Sequence, residues 1–183
     1  GGGLARAAAP AQVITFIVSD VPGDDPRRVG SGPTLGPVGD ACGPVHILAT
    51  ARQALTAAGT LATGTGLDVV DLGEVAGEAR EVGRAHAELA SLAVRSGRGT
   101  LLISGGETTV TVRGKGRGGR NTEYLAGLLS ALIPGDRVWA LAADTDGLDG
   151  SGPAAGALVR PDSAVRVMAR GFDLGPRLQD NDT

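Results

Sequence analysis

Three short apolar segments of this sequence each end at acidic or glycine residues. The segments, with the residues that follow them, are 13–18 before Asp20, 100–103 before Gly105-Gly106-Glu107, and 137–143 before Asp144-Thr145-Asp146. Their lengths and compositions are typical of buried strands. Because stretches with a helical period lie between them, the sequence predicts an α/β protein.

The composition supports this prediction and excludes several classes of function. The 183 residues include 31 glycines and only 2% aromatic residues, so aliphatic side chains must form the core, as in parallel α/β proteins. A net charge of −3 gives no basic field for nucleic acid or for an anionic membrane surface. No apolar run approaches the roughly 20 residues of a membrane span, and we expect no signal peptide from the residues that open this sequence. With Cys42 as the single cysteine, we expect a cytoplasmic protein without an intrachain disulfide.

The remaining segments predict most of the other elements. The expected elements are a helix at 45–58 ended by Gly59, a strand at 67–72, a helix at 74–95, a strand at 108–112, and helices at 121–133 and 163–170. The apolar stripe predicted for the helix at 74–95 consists of Val75, Ala79, Val82, His86, Leu89 and Ala93. Because His86 lies on this stripe, a core role is favoured over a catalytic one. A core role is also favoured for His46, which lies near the start of the helix predicted at 45–58.

Acidic residues gather where the strands end. In open α/β sheets ligands bind beyond the carboxyl ends of the strands, so parallel neighbours would bring these carboxylates to one rim. Oxygen ligands of this kind suit Mg²⁺. The same residues are also common helix caps and turn formers, and that alternative stays open. It is strongest for Asp20 and weaker for residues 144–150.

A glycine-rich basic stretch, residues 113–121, follows the predicted strand at 108–112 and precedes a helix. Its glycines let backbone N–H groups approach a ligand, and a helix N-terminus favours anions. Lys115, Arg117 and Arg120 add full charges, so the stretch could bind phosphate or carboxylate. It is not a Walker A loop, and a flexible, solvated hairpin tip explains the spacing equally well.

These motifs together resemble the glycerate 2-kinase family, whose carboxy-terminal part is called the MOFRL domain and some of whose members are named hydroxypyruvate reductase. The similar stretches are residues 19–34, 104–123 and 142–151. The match extends over nearly the whole chain and is loosest at residues 35–72. Thr122 departs from the family, which usually has glutamine there.

The resemblance implies a two-domain enzyme with its site in the cleft between the domains. Residues 1–40 would be the last strand and loop of a Rossmann-like amino-terminal kinase domain, and residues 41–183 a truncated MOFRL-type α/β domain. The rest of the amino-terminal domain would then be missing from this chain. The reaction would transfer the γ-phosphoryl group of ATP to the 2-hydroxyl of glycerate, with Mg²⁺ as cofactor. We expect this chain alone to be inactive, and a homo-oligomer is compatible with the family.

The resemblance also assigns roles to residues. The catalytic candidates are Arg120, Lys115 and Asp146, and the metal candidates are Asp144, Asp146 and Asp149. The candidates for substrate or phosphate binding are Gly105, Gly106, Glu107, Thr108, Arg117, Gly118, Gly119, Asn121, Asp20, Ser31 and Gly32.

Two other functions stay open. An NAD(P)H-dependent hydroxypyruvate reductase is suggested by the family's second name. The full dinucleotide-binding fingerprint, a G-x-G-x-x-G after a strand with an acidic residue about 20 positions later, is missing, and the arginines and lysine around the similarly spaced glycines at 114–119 suit phosphates better than a dinucleotide. A non-catalytic binding fragment is the other alternative.

Overall fold

The computed structural model describes residues 1–21, 23–36 and 43–183, and in these ranges helices and strands are mixed, which confirms the α/β class. The strands are β1 (Thr15–Ser19), β2 (Val45–Thr50), β3 (Asp68–Glu78), β4 (Thr100–Thr109), β5 (Ala140–Ala143) and β6 (Gly156–Val159). The helices are α1 (Gly3–Ala8), α2 (Ala51–Gly64), α3 (Ala79–Arg95), α4 (Arg120–Ala131), α5 (Ser163–Ala169) and α6 (Leu174–Asp180). A 3-10 turn spans Val29–Ser31. Cys42 lies outside the described residues.

The strands pair two by two in the described ranges. β1 is parallel to β2, β3 is parallel to β4, and β5 is antiparallel to β6. The three strands that precede the acidic motifs, β1, β4 and β5, are therefore not hydrogen-bonded neighbours. Pairing of β1, β4 and β5 as parallel neighbours therefore does not form the expected common rim. None of the described helices is both long and apolar enough to cross a membrane.

The helix predicted at residues 45–58 is instead a strand followed by a helix. β2 ends at Thr50, whose Oγ1 accepts a hydrogen bond from the Gln53 N–H at 3.2 Å, while the Gln53 side chain accepts one from the Thr50 N–H at 3.0 Å. This capping box begins α2 at Ala51. Gly59 lies inside the helix and does not end it, because α2 continues to Gly64.

β1 was expected to be buried on both faces, and the structure shows one buried face only. Ile17 and Ser19 are buried, whereas Phe16 and Val18 are 63% and 69% exposed. The alternation is that of a strand packed on one side. The apolar run that predicts the strand therefore does not show how many of its faces are covered.

β3 and β4 are longer than predicted. Their parallel register runs without a break in pairing from Asp68 and Thr100 to Glu78 and Thr109, with one irregularity near Asp71. In place of the two strands expected at 100–103 and 108–112, the structure thus has one continuous strand, β4, which ends at Thr109. The Gly105-Gly106 pair, expected after the first of these strands, lies within β4, where Gly106 has a φ of 106°. Because β3 reaches Glu78, α3 begins at Ala79 and not at residue 74.

α3 and α4 cross closely through small residues. A Cβ added to Gly83 would lie 2.1 Å from the Tyr124 carbonyl oxygen, and one added to Gly127 would lie 2.4 Å from the Arg80 carbonyl oxygen. The buried face of α3 is therefore rotated from the predicted stripe. Its members, besides the ion-paired Arg80, are Ala79, Gly83, Ala87 and Ser91. Leu89, expected inside, is 39% exposed.

The core beside this crossing is aliphatic. Its buried members are Ala87, Leu125, Leu128 and Val159, and Tyr124, Leu129 and Leu132 pack against them. For the helix at 121–133 the apolar pattern of the sequence predicts an inward face of Tyr124, Leu125, Leu128, Leu129 and Leu132, and the structure confirms it. The strand predicted at 137–143 begins only at Ala140, and α5 starts at the expected Ser163. β6 and α6 were not predicted.

Candidate active site

Arg120, the first residue of α4, binds two carboxylates from separate parts of the chain. Its Nη2 donates to Asp144 Oδ1 at 2.5 Å and its Nε donates to Asp144 Oδ2 at 3.3 Å. Nη1 donates to Glu107 in β4. Hydrogen bonds to Asp144, and secondly to Glu107, raise the pKa of Arg120 above its usual value, so the guanidinium stays charged. A guanidinium has five N–H donors, and the contacts with these described residues use three of them. Two N–H donors therefore remain for a ligand.

Asp149 fixes the N-terminus of α4. The N-cap residue, Gly119, has no side chain to accept hydrogen bonds from the first turn. Asp149 supplies the acceptors: Oδ1 accepts from the Asn121 N–H at 3.0 Å, and Oδ2 accepts from the Thr122 N–H at 2.8 Å. A Cβ on Gly119 would lie 2.3 Å from the Asp149 carboxyl carbon. The anion at this helix N-terminus therefore belongs to the chain itself.

The glycine-rich loop, residues 113–119, is bound by residues 180–183, which we call the C-terminal segment. Asn181 Oδ1 accepts hydrogen bonds from the first two N–H groups of the loop, at 2.7 and 3.1 Å. Asp180 accepts from the next two, through Oδ1 at 3.0 Å and through its carbonyl oxygen at 2.9 Å. A Cβ on Gly116 would lie 2.5 Å from that carbonyl oxygen. In this structure these four backbone donors of the loop are thus occupied by the protein.

A buried polar network anchors the C-terminal segment. Glu123, 1% exposed, accepts a hydrogen bond from Arg80 Nε at 2.7 Å through Oε1 and one from Asn181 Nδ2 at 3.0 Å through Oε2. Asn181 is 7% exposed and its Nδ2 also donates to the Thr111 carbonyl oxygen. No local sequence pattern reveals this network, because Arg80 and Glu123 are 43 positions apart and Glu123 and Asn181 are 58 positions apart.

The three aspartates expected to bind Mg²⁺ have three different roles. Asp144 pairs with Arg120, Asp149 caps α4, and the exposed Asp146 accepts a hydrogen bond from the Leu148 N–H at 3.0 Å, as a turn former does. Within the described ranges, no group of three or more acidic, histidine or cysteine residues could hold a metal ion. In the described residues these three aspartates therefore do not form a magnesium site on their own.

The other candidates are dispersed. Lys115 and Arg117 have exposed side chains, and Arg117 Nη2 donates to the Ser151 carbonyl oxygen at 3.4 Å. Asp20 follows β1 and is exposed. Ser31 and Gly32 lie at the 3-10 turn, where the Gly32 carbonyl oxygen accepts from the Gly2 N–H at 3.0 Å. The described contacts do not bring these last three residues to Arg120.

Two cavities meet at the Arg120–Asp144 pair. The first, about 480 Å³, lies beside the glycine-rich loop; its lining includes Gly116, Gly118, Gly119, Leu148 and Ser151. The second, about 320 Å³, lies between β4, β5, α3 and α4; its lining includes Ser104, Gly105, Gly106, Asn121, His86 and Tyr124. Arg120, Asp144 and Thr108 line both. The guanidinium is therefore available from two sides.

His86 and Tyr124 form a hydrogen-bonded pair in the second cavity. His86 Nδ1 lies 2.9 Å from the Tyr124 hydroxyl, and the rings meet edge to face. Burial lowers the pKa of His86, so the imidazole is neutral at pH 7. Burial also raises the pKa of Tyr124 to about 12. His86 was expected to be a core residue, and the structure places it at a cavity wall.

The fold and site define an α/β protein similar to known glycerate kinases. The crystal structure of a glycerate kinase from Thermotoga maritima superposes with a TM-score of 0.84 and 29% identity, covering 99% of this chain and 53% of that one. The MOFRL family matches residues 100–183, and the domain of unknown function DUF4147 matches residues 1–59.

Two curated relatives extend the comparison. A Macaca fascicularis protein named glycerate kinase is 30% identical over all of this chain and 67% of its own length. An Agrobacterium vitis protein provisionally named hydroxypyruvate reductase is 39% identical over all of this chain and 51% of its own length. The chain belongs to the glycerate kinase family. It spans about half the length of several curated relatives that it matches.

Proposed function

We propose that the complete gene product containing this chain transfers the γ-phosphoryl group of ATP to the 2-hydroxyl of glycerate. The 2-hydroxyl oxygen forms a bond to the γ-phosphorus, the bond from that phosphorus to ADP breaks, and the hydroxyl proton leaves to solvent. The relatives named glycerate kinase support the substrate and the reaction class. The observation that carries the proposal for this site is Arg120, charged, oriented by two carboxylates and bordered by two cavities.

Arg120 would bind an anionic group of a substrate with its two remaining N–H donors. Its bonds to Asp144 and Glu107 hold the guanidinium in one orientation before a ligand arrives, and such preorganisation lowers the free energy of the transition state. Lys115 and Arg117, exposed on the glycine-rich loop beside the first cavity, would contact phosphate oxygens of ATP. Gly105 and Gly106 line the second cavity, where they would lie beside the acid substrate.

The proposed cleft would lie between residues 41–183 and an amino-terminal domain that ends with residues 1–40. Asp20, Ser31 and Gly32 would then belong to its other wall. Since the three aspartates do not fit a metal site in the described residues, a magnesium ion would enter with the phosphates of ATP.

A second candidate function is reduction of hydroxypyruvate, which the name of the 39% identical Agrobacterium vitis relative suggests. The two functions differ in the cosubstrate that they consume. Purified complete gene product should be assayed with ATP and glycerate and, separately, with NADH and hydroxypyruvate. We expect ADP and phosphoglycerate in the first assay and no NADH oxidation in the second. NADH oxidation without ATP use would replace the kinase proposal, and activity in neither assay would favour a binding role.

A further inference from the structure

The second cavity is lined by two sets of polar groups that the reaction outlined above does not use together. Arg120 and Asp144 form one set, and the hydrogen-bonded His86–Tyr124 pair forms the other. Val75, Val82 and Leu141 add apolar surface to the same lining. At about 320 Å³ the cavity suits a small molecule with one anionic end and one hydrogen-bonding end.

The His86–Tyr124 pair keeps one donor to spare. A neutral imidazole has one N–H and one acceptor nitrogen, and a phenol has one O–H. Their mutual hydrogen bond uses one donor, whichever group supplies it. Either His86 Nε2–H or the Tyr124 O–H is left, and no described residue accepts a second hydrogen bond from the pair. An unused donor at a cavity wall is available to a ligand oxygen.

The spacing along α4 sets the size of that ligand. Arg120 and Tyr124 are four residues apart, so their side chains leave the same face of the helix, one turn of about 5.4 Å apart. A three-carbon hydroxy acid can reach from one to the other. Asn121 lies on the adjacent position, and its Nδ2 is already bonded to Asp144.

We propose that the second cavity binds the acid substrate, with its carboxylate on the two remaining N–H groups of Arg120 and its terminal hydroxyl on the His86–Tyr124 pair. The inference rests on the proposed function for the identity of the acid, glycerate. The 2-hydroxyl then lies between the two anchored ends, towards the first cavity, where the glycine-rich loop carries Lys115 and Arg117. His86 and Tyr124 select for the hydroxyl on the third carbon and take no proton from the reacting one.

Lactate provides the probe, because it keeps the carboxylate and 2-hydroxyl of glycerate but lacks the terminal hydroxyl. Calorimetric titration of the complete gene product with glycerate alone and with lactate alone measures recognition without turnover. Tyr124→Phe removes one oxygen and keeps the ring, so we expect the Kd for glycerate to rise about 3- to 10-fold, as for one lost neutral hydrogen bond. The Kd for lactate should change less than about twofold.

Two further variants complete the experiment. His86→Leu should weaken glycerate binding with the same selectivity, and it serves if Tyr124→Phe does not fold. Ser130→Ala is the matched control, since Ser130 lies on α4 and bonds to the Gly127 carbonyl oxygen away from the cavity. It should leave both Kd values unchanged.

The outcomes separate this inference from the proposed function. Equal weakening for both acids, no weakening, or no binding of glycerate by the unmodified protein would each overturn the inference, even if ATP is consumed with glycerate. Selective weakening supports it, and does so also if the ATP assay is negative, in which case only the kinase proposal is lost.

Discussion

The glycine-rich loop and the second cavity both adjoin Arg120, and they differ in whether their hydrogen-bond donors already have acceptors within the protein. In the loop, backbone donors that looked suited to a phosphate are bonded to Asn181 and Asp180. In the cavity, the His86–Tyr124 pair keeps a free donor. Glycines and positive charges in a sequence therefore indicate close approach, but the approaching group can be the protein's own chain.

The largest effect is expected in the loop, at Asn181. Asn181→Asp keeps the acceptor for the loop but replaces the donor to Glu123 with a carboxylate, so two buried acids would face each other. We expect a loss of about 3–5 kcal/mol in unfolding free energy, or protonation of one acid at a similar cost. The measurement is thermal unfolding of the complete gene product. Gln179→Glu makes the same chemical change at an exposed position of α6 and should be nearly neutral. A normal melting temperature for Asn181→Asp would mean that the loop is not held in this way.

The next largest effect concerns Arg120, which both regions share. Arg120→Ala should lower kcat/KM for glycerate phosphorylation by at least about 100-fold, which corresponds to about 2.7 kcal/mol of transition-state stabilisation. The control is Arg98→Ala, which removes an exposed ion pair with Asp68. A decrease of less than about threefold for Arg120→Ala would assign this residue a structural role.

The smallest effect is expected for Lys115, whose contribution depends on its side chain alone. Its N–H is bonded to Asp180, so Lys115→Ala leaves the loop intact. We expect the KM for ATP to rise about threefold at low salt, with kcat unchanged, and the difference to shrink as salt screens the exposed charge. Steady-state kinetics at two ionic strengths test this, with Arg170→Ala as an exposed control. An unchanged KM for ATP would mean that the Lys115 side chain is solvated and does not contact ATP.

The sequence predicts best where a local pattern determines the structure. The α/β class, α4 with its inward Leu125 and Leu128, and the start of α5 at Ser163 all follow from residues close in the chain. The helix expected at 45–58 was wrong because the capping pair Thr50 and Gln53 begins the helix later.

The candidate site was only partly predictable. Arg120, Glu107 and Asp144 were selected from motifs, and the structure brings them together. The roles of Asp149 and Asn181 depend on partners 27 to 70 positions away, which no local period reveals. The loop itself contains one sequence signal of this contact. Glycines occur at every second position, 114, 116 and 118, because the C-terminal segment packs against them too closely for a side chain.

The crossing of α3 and α4 has a consequence for the shape of the second cavity. His86 comes from one helix and Tyr124 from the other, so the distance between the two backbones determines whether the pair can form. That distance depends on Gly83 and Gly127, because a side chain on either would meet the backbone of the other helix. Two glycines that do not line the cavity thus control its width, and a single added carbon at either would alter the space that the proposed acid substrate would occupy.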